Sequence, residues 1–204
     1  MMDIITGKTH PDTGKVILDE NINLLEMNEA QIAVAGIGRK FQTPTVFESL
    51  SVYDNLSLSA AGSKSVFGAY FGKSRKLSSE QNAKADEVLN IIGLENMRHY
   101  DAAVLSHGQK QWLEIGMLLM QKPKLLLIDE PVTGMTHGEI ERTAELLISL
   151  SGEQAVVVVE HDMDFVRKIA RRVTVLHQGS VLAEGSLSEI QNNQDVIDTY
   201  LGGA

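Results

Sequence analysis

Cysteine is missing from all 204 residues, which excludes disulfides, thiolate metal sites and cysteine nucleophiles. That fits a reducing compartment. Positive charge is also in short supply. With 18 Lys and Arg against 27 Asp and Glu, the formal net charge is −9, so non-specific binding to nucleic acid is disfavoured. Long apolar runs are lacking: residues 125–128 and 155–159 are strand-sized, far short of the ~20 that a spanning helix needs. The first residues show no basic region followed by an apolar stretch, so no secretory signal is expected there. There is no internal repeat and no low-complexity tract. The most consequential absence is chemical: no Gly-x-x-x-x-Gly-Lys-[Ser/Thr] phosphate cradle occurs. What remains is ordinary for a globular chain, with 43% hydrophobic and 22% charged residues. The length suits one compact domain that can bury a full core and carry a subdomain.

The order of elements predicts an α/β fold. Asn28 is placed to cap a short helix over 29–34, which Gly36-Ile37-Gly38 is expected to break, and residues 39–42 read as a short strand ending before Pro44. Residues 43–104 have another texture, rich in Ser, Gly and Ala. Within them, 52–58 reads as helical, 62–77 as a basic loop with Phe67, Tyr70 and Phe71 interleaved, and Ser78-x-x-Gln81 as a capping box opening a helix to Ile92. From Leu105 onward strand and helix alternate. Ser106-x-x-Gln109, Thr136-x-x-Glu139 and Ser186-x-x-Glu189 open helices, and Asp162 caps another. Residues 124–129 and 155–160 read as buried strands, the second suited to a parallel sheet covered on both faces. The alternation argues for a largely parallel sheet.

Four places carry candidate chemistry. Asp129-Glu130 sits where an apolar strand ends, the edge at which open α/β sheets bind ligands. There Asp129 is suited to hold Mg²⁺ and Glu130 to orient and polarise an attacking water. The same two residues also read as a plain polar strand end before Pro131. Ser106-His107-Gly108-Gln109 places a hydroxyl and a glycine amide at a helix N-terminus, where N–H groups and the dipole favour an anion. Taken singly, it is also an ordinary cap. His161 follows the strand 156–160 and has the chemistry to hydrogen-bond a terminal phosphate. Gln42 ends another strand and has the chemistry to bind metal or water. Each of the last two taken alone reads as structural.

As an ordered set, Gln42, Leu105-Ser106-His107-Gly108-Gln109, residues 125–130 and His161 resemble the Q-loop, signature motif, Walker B strand and switch histidine of the ATP-binding subunits of ABC transporters. The resemblance covers the whole chain. Within the family, residues 105–117 and 131–136 are similar to the urea importer branch, with the branched-chain amino-acid importers as the neighbouring alternative. The resemblance implies a P-loop NTPase (ABC ATPase) core over 1–43 and 105–204, with a helical subdomain over 44–104. It implies ATP and Mg²⁺ as ligands, with Mg²⁺ at Asp129 and Gln42. Catalytic roles fall to Glu130, His161 and Gln42. In trans, Ser106, His107, Gly108 and Gln109 cover the γ-phosphate held by a second ATPase subunit. Further implied partners are transmembrane permease subunits, docked through 49–56 or 67–76, and indirectly a periplasmic substrate-binding protein. No nucleic acid is implied. The place implied is the cytoplasmic face of the inner membrane, peripherally.

Three departures qualify this. His107 stands where the family usually has Gly, and Thr136 where many members carry the Asp of the D-loop. The third is the absent phosphate cradle. Residues 1–7 resemble the helix that follows it in the family, so the chain is expected to be truncated just downstream of the P-loop and to lack the first core strands. The expectation that follows is poor ATP binding and negligible hydrolysis by these residues alone. A degenerate, non-catalytic module acting through its signature loop is the reading from another class. A soluble ABC ATPase of DNA repair or translation is disfavoured by the acidic charge and the lack of a second cassette.

Overall fold

A computed structural model describes residues 1–42, 44–60 and 78–201. The chain forms two compact units, Met1–Val159 and Glu160–Ala204. Thr43 and the stretch 67–76, read above as a docking candidate, lie outside the described residues.

In the first unit a short helix α1 (Met2–Ile5) precedes a small antiparallel pair, β1 (Ile17–Leu18) with β2 (Ile22–Asn23). Helix α2 (Glu29–Ala35) is opened by Asn28, whose side chain accepts from the Gln31 amide while Gln31 accepts from the Asn28 amide. It ends at Gly36, in the left-handed region at φ 109°, where glycine carries no Cβ penalty. The expected break therefore occurs at Gly36 alone. Ile37 and Gly38 already belong to strand β3 (Ile37–Lys40), because a glycine C-cap lets the chain turn straight into the sheet.

Strand β3 pairs in parallel with β4 (Leu125–Asp129), and β4 with β5 (Ala155–Val159), giving the order β3-β4-β5. The central strand is the apolar one: Leu126, Leu127 and Ile128 are fully buried. Strand β5 departs from expectation. It has a partner on one side only among the described strands, and Val157 and Val159 are 37% and 40% exposed. Among the described residues one face of its valine run is therefore left open. Beneath the sheet, Met2, Leu24, Ile32, Ile37 and Leu127 form a core cluster that ties α1, α2 and the two strands together.

Three helices form the second layer of this unit: α3 (Val52–Ser59), α4 (Ser79–Ile92) and α5 (His107–Leu119). Ser51, Ser78 and Ser106 cap them, each accepting from the amide three residues on. Helix α5 packs on both α3 and α4. Gly116 makes this possible, since a Cβ there would lie 2.8 Å from Ile92 Cδ1 and 3.1 Å from Leu56 Cδ2. Helix α6 (His137–Leu150) follows β4 and opens with the capping box of Thr136 and Glu139.

The second unit contains α7 (Met163–Ile169), an antiparallel hairpin of β6 (Val173–His177) and β7 (Ser180–Gly185), and the short helix α8 (Leu187–Gln191). Gln178 and Gly179 make the turn at φ 48° and 82°, the left-handed pair that a tight hairpin requires. The Tyr200 hydroxyl donates to the Leu176 carbonyl at 2.7 Å and pins the C-terminal segment to the hairpin.

Candidate functional site

Parallel pairing puts the C-terminal ends of β3 and β4 on the same rim, and the site is built there. Asp129 is the last residue of β4, and Glu130 leaves the strand at φ 43°. Left-handed backbone at a non-glycine residue is sparsely populated and collects at functional positions. The Glu130 amide is held by the Val159 carbonyl at 2.9 Å, so the turn is anchored to β5. Gln42 follows β3 by two residues and donates from Nε2 to Glu130 Oε2 at 2.5 Å. Thr133 adds a 3.4 Å bond to the same oxygen. The structure thus joins Gln42 directly to Glu130 and leaves Asp129 beside them.

Asp129 is loosely held. Its nearest cation is Arg39 of β3, at 3.7 Å, and its side chain is 32% exposed. Arg39 is more firmly engaged by Asp3 of α1, at 2.5 Å, and lies over the Phe41 ring at 4.8 Å. Its hydrogen bond, ahead of its charge, holds the Asp3 carboxyl below the ordinary range. An open carboxylate beside a glutamine amide fits Mg²⁺ delivered with a nucleotide, since this ion takes one or two carboxylates and keeps water and phosphate oxygens. Among the described residues no cluster of three His, Cys, Asp or Glu could hold a metal unaided.

The loop 105–109 opens α5 as a closed capping box: Gln109 N donates to Ser106 Oγ at 3.2 Å, and Ser106 N to Gln109 Oε1 at 2.9 Å. The anion favoured there on electrostatic grounds is supplied by the chain itself. Glu139 of α6 accepts from the Ser106 hydroxyl at 2.7 Å through Oε1, and from the Thr136 amide and hydroxyl at 2.9 Å through Oε2. The Gly108 amide also donates to it. One carboxylate therefore serves two helix N-termini. These bonds, the Thr136 amide first and the Ser106 hydroxyl next, hold Glu139 below the ordinary glutamate range. A folded-state value below the unfolded one adds stability above the ordinary range, and that contribution disappears as pH falls through the depressed value. Glu139→Gln is accordingly expected to cost about 1–2 kcal/mol at neutral pH. The deficit should close in acid, as read by thermal melts of both proteins across pH. An equal deficit at every pH would show that the carboxylate charge is not what holds the loop.

His161 belongs to the second unit. Glu160 Oε2 accepts from the His161 and Asp162 amides at 2.8 and 3.2 Å, fixing the backbone while the imidazole stays 77% exposed.

Four residues at or near the rim and the 105–109 loop were given no role from the sequence, namely Arg39, Lys40, Gln111 and Glu114, and a fifth, Glu139, was read only as part of a helix cap. Lys40 is fully buried and donates to the Phe41 carbonyl at 2.9 Å. Glu114, on α5, accepts from the Thr45 hydroxyl at 2.8 Å and the Thr45 amide at 3.3 Å. Burial pushes its carboxyl up, against these bonds and the Lys40 charge. Only the spacing of Thr136-x-x-Glu139 gave any signal, and it announced a cap for α6 without the reach to Ser106.

A parallel sheet with carboxylates and an amide on its C-terminal rim, and a layer of helices beside it, suits nucleotide chemistry, and superposition on solved ABC cassettes identifies it as the P-loop NTPase fold of the ABC ATPase type. The family model described as ABC transporter matches residues 1–133, and one described as branched-chain amino acid ATP-binding cassette transporter matches residues 180–204. The chain is 33% identical over 211 aligned positions to the high-affinity branched-chain amino acid transport ATP-binding protein LivG of Salmonella typhimurium, covering 100% of this chain and 82% of that protein. It is 32% identical to a probable LivG of Archaeoglobus fulgidus, covering 98% and 79%. The crystal structure of the ADP conformation of an ATP-binding cassette of an ABC transporter superposes with a TM-score of 0.81 at 28% identity, over 98% of this chain and 82% of that one. The chain belongs to the ABC transporter family, among its ATP-binding subunits, whose shared activity is ATP hydrolysis.

Proposed function

We propose that this chain serves an importer of branched-chain amino acids as its ATP-binding subunit. The contact between Gln42 and Glu130 on the sheet rim carries the mechanistic part of this reading. The relatives' names and the match over 180–204 support branched-chain amino acids over urea, the substrate drawn from the resemblance of residues 105–117 and 131–136.

In this reading Glu130 accepts the proton of an attacking water, and Gln42 sets the carboxylate's orientation. Asp129 and Gln42 hold Mg²⁺, which when bound neutralises charge on the phosphates. We assign His161 to the terminal phosphate. Ser106 and Gly108 offer a hydroxyl and an amide to the nucleotide of a second ATPase subunit. Among the described residues no helix is long and apolar enough to cross a membrane. We assign the membrane passage to permease subunits and place this chain on their cytoplasmic face. The docking surface is assigned to the described part of the helical subdomain over 44–104, around residues 49–56. A substrate-binding protein outside the membrane would deliver the amino acid.

Uptake of labelled leucine and of labelled urea in a strain lacking the gene for this chain tests the substrate. Loss of leucine uptake with urea uptake intact is expected, and the reverse would overturn the reading. A separate expectation concerns the 204 residues themselves. Their sequence holds no Gly-x-x-x-x-Gly-Lys-[Ser/Thr] motif to cradle β- and γ-phosphates, so calorimetric titration with MgATP should show only weak binding. Micromolar affinity would refute that.

A further inference from the structure

We infer that Gln111 is a positioning residue that ties His107, in the loop 105–109, to Gln42 and through it to Glu130. The inference rests on the reading of that loop as the cover for a second subunit's nucleotide, but its geometry stands without it.

Gln111 lies one turn into α5 and is 1% exposed. Its Nε2 is 3.3 Å from the Gln42 carbonyl oxygen and 3.2 Å from His107 Nε2. A carbonyl oxygen can only accept, so the atom facing it is the amide nitrogen, with two hydrogens to give. The second hydrogen points at His107, whose Nε2 must then present a lone pair. That fixes His107 as a neutral ring protonated on Nδ1. The other end of the amide, Gln111 Oε1, is buried with no partner among the described residues. A buried acceptor left unpaired is costly, so Gln111 is not an amide that packing alone would select. What it obtains in return is the pair of donations that joins two functional segments.

From Gln42 the connection continues. The residue whose carbonyl Gln111 holds is the one whose side chain donates to Glu130 Oε2. Farther along α5, Glu114 grips Thr45 by amide and hydroxyl. Helix α5 therefore holds the backbone at the rim glutamine and again at Thr45, and it begins at the loop that carries His107. A ligand that turns or protonates His107 removes the acceptor from Gln111 and loosens its hold on Gln42. Here the histidine that replaces the family's usual glycine acquires a role: a glycine offers Gln111 no acceptor.

Nuclear magnetic resonance of the 204-residue chain without nucleotide tests this directly. In two-bond ¹H–¹⁵N spectra at about pH 8, above the ordinary histidine range, His107 is expected as the Nδ1–H form. An Nε2–H form would overturn the inference, with no variant needed. Gln111→Leu should then release His107 to the Nε2–H form that an unrestrained imidazole prefers, and shift the side-chain amide resonances of Gln42. Leu119→Ala, which perturbs the same helix by a cavity, should change neither. If His107 stays Nδ1–H in Gln111→Leu, or the Gln42 amide does not move, Gln111 is not the link. Because no nucleotide is present, failure here is separable from failure of the ATP reading, which the uptake and titration experiments address.

Discussion

Gly108→Ala is expected to abolish the action of the 105–109 loop on a second subunit's nucleotide while leaving the fold almost as stable as before. Gly108 has ordinary helical backbone, since its φ lies outside the left-handed region, so alanine there gains about 1 kcal/mol of helix propensity. What alanine lacks is room. Its Cβ would stand 2.6 Å from both Cδ and Oε1 of Glu139, closer than real Cβ atoms come, and the flexible carboxylate must swing away. The bonds from Ser106 and Thr136 are then lost or bent, a loss of about 1–2 kcal/mol, which the propensity gain largely offsets. The chemical effect is much larger. The new methyl group occupies the seat beside the Ser106 hydroxyl and the Gly108 amide, the two donors assigned to the terminal phosphate. Alanine keeps the residue-108 N–H, but its methyl group keeps phosphate from reaching it, and a donor blocked in a preorganised site is expected to lower turnover by about as much as a deleted one, about 10²–10³. The measurement is ATP turnover by the transporter assembled with a partner cassette that holds its own ATP, beside a thermal melt of the variant. Turnover within about threefold of the parent, far less than a lost donor produces, would show that the loop does not close on phosphate.

The same region shows which parts of the site can be read from sequence. Local signals were legible wherever the physics is local. Asn28, Ser78, Ser106, Thr136, Asp162 and Ser186 each open the helix expected of them, because a cap joins residues two or three apart. The strand 125–129 was legible for the same reason, as an apolar run closed by Asp129-Glu130. The ties between elements were not. Glu139 reaches Ser106 across 33 positions and Gln42 reaches Glu130 across 88, and nothing in either segment's composition announces its partner. Lys40, the last residue of β3, drew no reading of its own from the sequence, yet it is fully buried against the Phe41 carbonyl and the field of Glu114. Glu130 belongs with these: its left-handed φ follows from the turn that the Val159 carbonyl imposes, a long-range cause.

Trp112→Ala should produce the largest loss of stability of any substitution considered, about 3–5 kcal/mol. Trp112 is the only tryptophan in the chain and lies on α5 at 9% exposure. Its indole Nε1 donates to Thr143 Oγ1 of α6 at 2.9 Å, in a fully buried contact. Thr143 in turn donates back to the Glu139 carbonyl at 2.8 Å. The indole therefore sets the spacing of the two helices whose N-termini share the Glu139 carboxylate. Alanine leaves a cavity where the indole stood. Thr143 keeps its internal bond to Glu139, so the cost comes mostly from lost packing. Trp112→Phe separates the terms: it keeps most of the volume and loses the indole donation, and should cost about 1 kcal/mol. Urea denaturation followed by circular dichroism measures both, since the fluorescent probe is itself removed. Equal losses for the two variants would place the stabilisation in the hydrogen bond. A loss below about 1 kcal/mol for alanine, under the range for an aromatic deleted from a core, would mean that α5 and α6 do not depend on Trp112 for their approach. The loop they hold between them would then owe its geometry to Glu139 alone.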